Sequence, residues 1–297
     1  MAANLEGDVY RVGATSLVAE PGMLARSSAR QAKGGCSVIG FDFPIGIPGV
    51  YARQAKIRSF LEVLPEFGTG RWQRFYDLAA RPGEISVERP FYPFRSGGTR
   101  QVHLVQGLGV VSMNDLLRRC DFGDGHRNNA CSLYWTLGGN QVGRAAISGW
   151  REALVPATWA LRGELGVWPY DGDLRCLVSS RACSVVETYP AEACVQLGLP
   201  APGRGWSKRN SQDRGEQGAK LLRWAKDKPI DLAKVQAALE NGFGDAKVGE
   251  DQFDALVGLL GILAVVLDLR TEGAPREHPG LSVEGWILGQ RSVSTTG

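Results

Sequence analysis

Two apolar runs, far apart in the chain, each end on a carboxylate and are stopped by proline: Val38-Ile39-Gly40-Phe41-Asp42-Phe43-Pro44 and Cys183-Ser184-Val185-Val186-Glu187-Thr188-Tyr189-Pro190. Proline has no N–H to give a ladder, so each run must stop being a strand close to its acid. In the first, Val38, Ile39 and Phe41 suit a strand covered on both faces, as in a sheet flanked by helices. Apolar periodicity predicts helices over 51–64, 191–198, 214–226, 231–241 and 250–268. Strands interleaved with helices make an α/β protein.

Residues 8–14 alternate polar and apolar, a strand with one covered face, and 21–33 form a weakly helical basic segment closed by Gly34-Gly35. From 66 to 165 the pattern breaks up. Arg71-Trp72-Gln73-Arg74-Phe75-Tyr76 and Phe91-Tyr92-Pro93-Phe94-Arg95 alternate with glycine turns, which reads as a long irregular insertion over one end of the sheet. The expected organisation is therefore a single domain, 1–297, with 66–165 inserted in it. Residues 283–288 add a short strand or pack on the core, and fraying is expected beyond Gln290.

With 43% apolar and 22% charged residues, the 297-residue chain has an ordinary globular composition and enough length to bury a substantial core. A net charge of +3 does not by itself mark a nucleic-acid binder; a local basic patch has to do that. The six cysteines include no C-x-x-C and no zinc spacing, and no secretory signal precedes them, so reduced thiols and a cytoplasmic location are expected. The longest apolar run, 255–267, contains two glycines and is too short for about 30 Å of hydrocarbon, so no membrane role is expected. G-x-S-x-G and H-E-x-x-H are absent, and His103, His126 and His278 have no partner at ligand spacing.

The acids carry the chemistry. Asp251 and Asp254 stand three residues apart, on one face of the helix over 250–268, and the stripe continues through Ala255, Gly258, Gly261 and Ile262. Small residues there would let the helix approach a sheet and bring the carboxylates to a strand end. Acids in a first turn also answer the helix dipole, which accounts for Glu250 without any further role. Asp42 is equally a turn residue before proline or a ligand at the carboxyl end of a strand. Glu187 repeats the arrangement, and two buried acids at matching strand ends need a cation or hydrogen-bond partners. Carboxylate-rich sites select Mg²⁺ or Mn²⁺.

Gly138-Gly139-Asn140-Gln141-Val142-Gly143-Arg144-Ala145 fails as a phosphate loop, because Arg144 replaces the lysine and Ala145 the hydroxyl. A glycine-rich turn opening a helix over 141–154 leaves Arg144 as a phosphate candidate beside the plainer reading of a helix start. The densest basic run holds Lys208, Arg209 and Arg214, with Lys220, Arg223 and Lys226 beyond. These suit a phosphate backbone or a solvated helix face equally well.

Phe41-Asp42-Phe43-Pro44-Ile45-Gly46-Ile47-Pro48, Val186-Glu187-Thr188-Tyr189-Pro190-Ala191-Glu192-Ala193 and Asp251-Gln252-Phe253-Asp254-Ala255-Leu256 resemble the signatures of an uncharacterised family. It is a domain-of-unknown-function group described as predicted ribonuclease H-like nucleases, distantly similar to RuvC-type resolvases. The order matches over most of the chain, and the segments over 135–143 and 284–289 resemble a subgroup. The resemblance implies a mixed five-stranded sheet flanked by helices, with acids from the first strand, the fourth strand and the last helix binding two divalent ions. By motif, Asp42 corresponds to the fourth-strand acid, and Asp251 and Asp254 to the helix acids. These three are the expected metal ligands, and Glu187, from the fifth-strand motif, joins them as a catalytic candidate. Metal-activated water would attack a phosphodiester while the second ion stabilises the leaving oxygen.

Nothing before Asp42 supplies the first-strand aspartate, since Asp8 opens its strand instead of ending an apolar run. Residues 1–5 then read as the tail of a second strand and 8–14 as the third. The first strand and its acid are expected to be missing, with weak metal binding and poor cleavage as the consequence. The leading expectation is a metal-dependent nuclease acting on nucleic acid. A non-catalytic nucleotide- or nucleic-acid-binding member of the same fold is the alternative, and a small-molecule phosphotransferase is a third. Two-metal hydrolysis requires Asp42 and the Asp251/Asp254 pair to converge on ions roughly 3.5–4 Å apart.

Overall fold

In the computed structural model, which describes residues 1–32, 34–138, 141–245 and 247–291, the two acid-terminated runs lie side by side as parallel strands. In chain order the strands are β1 (Ala3–Glu6), β2 (Val9–Val12), β3 (Ser37–Phe41), β4 (Leu165–Val167), β5 (Cys183–Glu187) and β6 (Ile230–Asp231). The first six α-helices are α1 (Leu24–Gln31), α2 (Gly49–Ala55), α3 (Phe60–Val63), α4 (Gln101–Gly107), α5 (Val142–Ser148) and α6 (Val155–Ala160). They are followed by α7 (Leu174–Ser180), α8 (Pro190–Gln196), α9 (Ser211–Ala225), α10 (Gln236–Glu240), α11 (Lys247–Val266) and α12 (Leu281–Glu284). The protein is α/β, as expected. Gly139 and Asn140 of the glycine-rich segment, and residues 292–297, where fraying is expected, lie outside the described residues.

The chain divides into two compact units. Among the described residues, the β5 unit comprises Glu20–Glu187 and Gly273–Ile287, and the α11 unit comprises Met1–Ala19, Thr188–Glu272 and Leu288–Arg291.

In the β5 unit the strand order is β3-β5-β4, all parallel, in a register that sets Phe41 opposite Glu187 and Val167 opposite Val185. All five residues of β5 are buried, whereas all five of β3 are only partly so. The doubly covered central position expected of 36–42 therefore belongs to β5, and β3 is an edge strand of this sheet. Several aromatic residues of 66–165 belong to the core of this unit. Phe67, Phe75, Phe91 and Trp150 share one core with Ile45, Tyr51 and Val185, and the Phe67 and Phe75 rings stack at 3.6 Å. A segment that reads as irregular because its apolar residues follow neither period supplies more than half of the buried residues of that core. The helix expected over 51–64 is broken at Lys56, whose φ of 58° ends α2; the Ser59 hydroxyl then caps α3 by accepting from Glu62 N at 3.4 Å.

In the α11 unit, β1 and β2 form an antiparallel hairpin, and β6 adds in parallel to β2 through the Tyr10–Ile230 and Arg11–Asp231 pairs, so this sheet is mixed. The 20-residue α11 buries Phe253, Leu256, Val257 and Leu260 in a core with Val12, Leu221 and Leu239. The small-residue stripe of α11 meets α8 at Gly261 and, at Gly258, the segment that leads from β5 into α8. A Cβ at Gly261 would stand 3.3 Å from Ala193 Cβ on α8, and one at Gly258 would stand 3.4 Å from Thr188 Oγ1. Among the described residues no helix is long and apolar enough to cross a membrane.

Candidate functional site

The apolar face of α11 fixes where its acids go. Phe253 is wholly buried, edge-on to Trp206 at 5.8 Å, which puts Asp251 on the solvent side of the helix and leaves Glu250 and Asp254 flanking the buried face. Asp251 is exposed, while the Asp254 side chain keeps 16% of its surface. Lys208 Nζ donates to Asp254 Oδ2 and stands 3.8 Å from Glu250 Oε1. Asp254 Oδ1 is buried and has no hydrogen-bond partner. Burial raises the Asp254 carboxyl above the ordinary aspartate range; Lys208 opposes the rise, and the charges of Glu250 and Asp251 add to it. The neighbouring Cys194 thiol is pushed up to about 12, chiefly by burial and also by the Asp254 charge, and is no nucleophile.

Lys208 rests on a rigid turn. Asn210 Oδ1 caps α9 by accepting from Gln212 N at 2.8 Å, and Asp213 Oδ2 accepts from Ser207 N at 2.7 Å. Arg214 is wholly buried and donates to three carbonyls: Gly242 at 2.7 Å, Gly244, and that of Lys208 itself. It is not a substrate ligand, since no part of the side chain reaches solvent; it holds the turn that carries Lys208. Arg209 is exposed. Arg144 belongs to the β5 unit, where it donates to Phe94 O at 2.7 Å from the first turn of α5. Gln141 is left-handed, and helical backbone then runs without a break through α5, a π-helical stretch over Gly149–Leu154 and α6, so the expected helix over 141–154 forms with Arg144 in its first turn.

The β5 unit holds Asp42 and Glu187, and the α11 unit holds Asp251 and Asp254. Asp42 is exposed, one residue beyond β3. Glu187 is buried and both its oxygens are taken by Arg118, Nη1 to Oε2 at 2.6 Å and Nη2 to Oε1 at 2.6 Å. Oε2 also accepts from Ile45 N at 2.7 Å. Arg118 in turn holds Asp121, at 2.8 Å to Oδ1 and 3.1 Å to Oδ2. Burial raises the Glu187 carboxyl and Arg118 opposes it. A carboxylate enclosed in this way has no lone pair directed at a substrate. The catalytic role expected of Glu187 is therefore replaced by a structural one: it anchors the segment that follows Asp42.

That segment is tied throughout. Pro44 O accepts from Trp150 Nε1 at 2.7 Å, Ile45 O from Tyr170 at 2.7 Å, and Val283 O from Ile47 N at 2.8 Å. Glu284 Oε1 accepts from Gly49 N at 2.9 Å, and Oε2 from Arg119 N at 2.8 Å. Gly46 has a φ of 148° and lies so close to the Glu284 carbonyl that a Cβ would collide with it.

No family model, curated protein or solved structure matches the chain.

The ribonuclease H-like resemblance rests on its motifs alone. Among the described residues no three His, Cys, Asp or Glu side chains group as a metal cage. The donor chemistry of α11 nevertheless suits Mg²⁺ or Mn²⁺: carboxylate oxygens, with Asp254 Oδ1 buried and unpartnered. Asp254, with Glu250 or Asp251, would hold the ion. Sequence reasoning missed Arg118, Asp121 and Glu284, because the Arg118–Glu187, Gly49–Glu284 and Arg119–Glu284 contacts each span 69 or more positions and form no short motif.

Proposed function

We propose that the chain is a divalent-metal-dependent nuclease, a phosphodiester hydrolase of ribonuclease H-like fold, with Mg²⁺ or Mn²⁺ held by Asp254 and its neighbours on α11. The observation that carries the proposal is the Asp254 carboxylate: half-buried among further acids, with one oxygen already facing a cation, Lys208, and the other buried without a partner. Leaving a buried acceptor unpaired costs about 1–3 kcal/mol, and such a cost is retained where a ligand removes it. When bound, the ion supplies an activated water and neutralises charge on the phosphoryl oxygens. The protein's own contribution is to fix the carboxylates, through the burial of Phe253, and to offer the exposed Arg209 guanidinium to a phosphate backbone. Asp42 enters this proposal by motif, as an exposed acid on a segment held rigid from five sides.

A second reading, a nucleotide- or nucleic-acid-binding protein without hydrolysis, is favoured by the same Lys208, which already neutralises Asp254. Mn²⁺ titration with single-stranded, duplex and branched substrates separates the two. Hydrolysis predicts cleavage that appears with Mn²⁺. Asp254→Asn should reduce it on the order of 100-fold or more, because even the outer-shell partners of a metal ligand are worth about 10–100-fold. Retention of these substrates with no Mn²⁺-dependent cleavage would leave only the binding reading.

A further inference from the structure

We infer that Lys208 is the resident counter-ion of the α11 acids, an internal ammonium that a divalent ion must displace from Asp254 before it can bind. The inference rests on the metal-dependent reading of the same acids and adds to it what occupies them beforehand.

Three features carry it. The first is position: Lys208 Nζ contacts Asp254 and lies 3.8 Å from Glu250, so one ammonium answers carboxylates from successive turns of α11. A dication on Asp254 would meet that ammonium at close range, and like charges at such a distance repel strongly away from bulk water.

The second is incompleteness. Where this protein builds a permanent buried ion pair it saturates the carboxylate: Arg118 fills both oxygens of Glu187 and both of Asp121. Lys208 takes only Oδ2 of Asp254 and leaves Oδ1 buried and unpaired. A point-charge ammonium on a flexible stem is a replaceable partner, which a bidentate guanidinium is not.

The third is what can move. The Lys208 carbonyl is held by buried Arg214, and the neighbouring Ser207 N by Asp213, so the backbone of the turn stays in place. The side chain keeps 24% of its surface, which gives the amine a route to solvent without any movement of the turn.

The test is Mn²⁺ binding to the full 297-residue chain, read by calorimetry and by the paramagnetic resonance of free Mn²⁺, at slightly alkaline pH and low salt. Lys208→Gln should bind Mn²⁺ at least about tenfold more tightly than wild type, and Lys208→Arg, which keeps the charge, should not. Equal or weaker binding by Lys208→Gln, with wild-type binding intact, overturns the inference and leaves the metal reading standing. If no variant binds Mn²⁺, or if Asp254→Asn binds as well as wild type, the metal reading itself falls and the inference with it. Should Lys208→Gln fail to fold by circular dichroism, amine acylation of wild type read by mass spectrometry decides. Saturating Mn²⁺ should raise labelling of Lys208 relative to the exposed Lys226, and unchanged labelling overturns the displacement.

Discussion

Asp254 sets the electrostatic character of the site. Burial raises its carboxyl above the value it has in the unfolded chain, with Glu250 and Asp251 adding to the rise against Lys208. The folded protein therefore holds the Asp254 proton more tightly than the unfolded chain does. The resulting stability is complete below the ordinary aspartate value of about 4, and it is lost as pH rises through the higher folded value. Urea midpoints measured from acid to neutral pH should fall for wild type relative to Asp254→Asn over that interval. The opposite trend would mean that attraction to Lys208 outweighs burial. At this scale the sequence was partly legible. The i, i+3 spacing placed Asp251 and Asp254 on one helix, and the apolar run behind them fixed the buried face. That Lys208 lies against Asp254 was not legible, because the turn presenting it is set by Arg214, whose three carbonyl partners leave no trace in sequence spacing.

Among the elements, the knot around Arg118 has the largest energetic consequence. It joins the end of β5, the segment before α2, the turn at 118–121 and α12, all with buried charge. Removing the guanidinium would strand the Glu187 and Asp121 carboxylates in the interior. Arg118→Met should accordingly cost about 3–5 kcal/mol in urea unfolding, the range for breaking one partner of a buried pair. The exposed Arg74–Asp77 pair is the control, worth under about 1 kcal/mol. A small effect at Arg118 would place the integrity of the Asp42 segment elsewhere. Glu187 and Asp42 look alike in sequence, each ending an apolar run before proline, yet one is enclosed and the other exposed. The difference comes from Arg118, 69 residues upstream of Glu187, and no local pattern could reveal it. The helices at 190–196, 211–225 and 247–266 were legible from apolar periodicity, which set their starts one to three residues late; α2 and α3 were merged because Lys56 has a conformation that a lysine seldom adopts.

At the scale of the whole molecule, a count of basic residues does not say which of them face solvent. Between residues 57 and 207 every lysine-or-arginine position is arginine, and several of these side chains are spent inside the fold. Arg127 donates to the Cys120 and Asp121 carbonyls, Arg89 to Glu84 and the Leu78 carbonyl, and Arg118 to its buried acids, while Arg214, further along, is enclosed as well. The sequence count thus gave basic residues without their destinations, just as it gave an α/β pattern without its division into two units. Most arginines among the described residues are nevertheless exposed, and of these Arg209, beside the Lys208 turn, is well placed with respect to the α11 acids. The salt dependence of affinity for a labelled single strand reports how many of them a nucleic acid meets, because each phosphate contact releases counterions. Arg209→Ala should weaken binding about equally for all sequences and lower the log–log salt slope by about 1. Arg214→Lys should leave that slope unchanged even where it lowers the thermal midpoint, because its guanidinium faces only carbonyls. A lower slope from the buried position and none from the exposed one would reverse the assignment and move the polyanion surface off this turn.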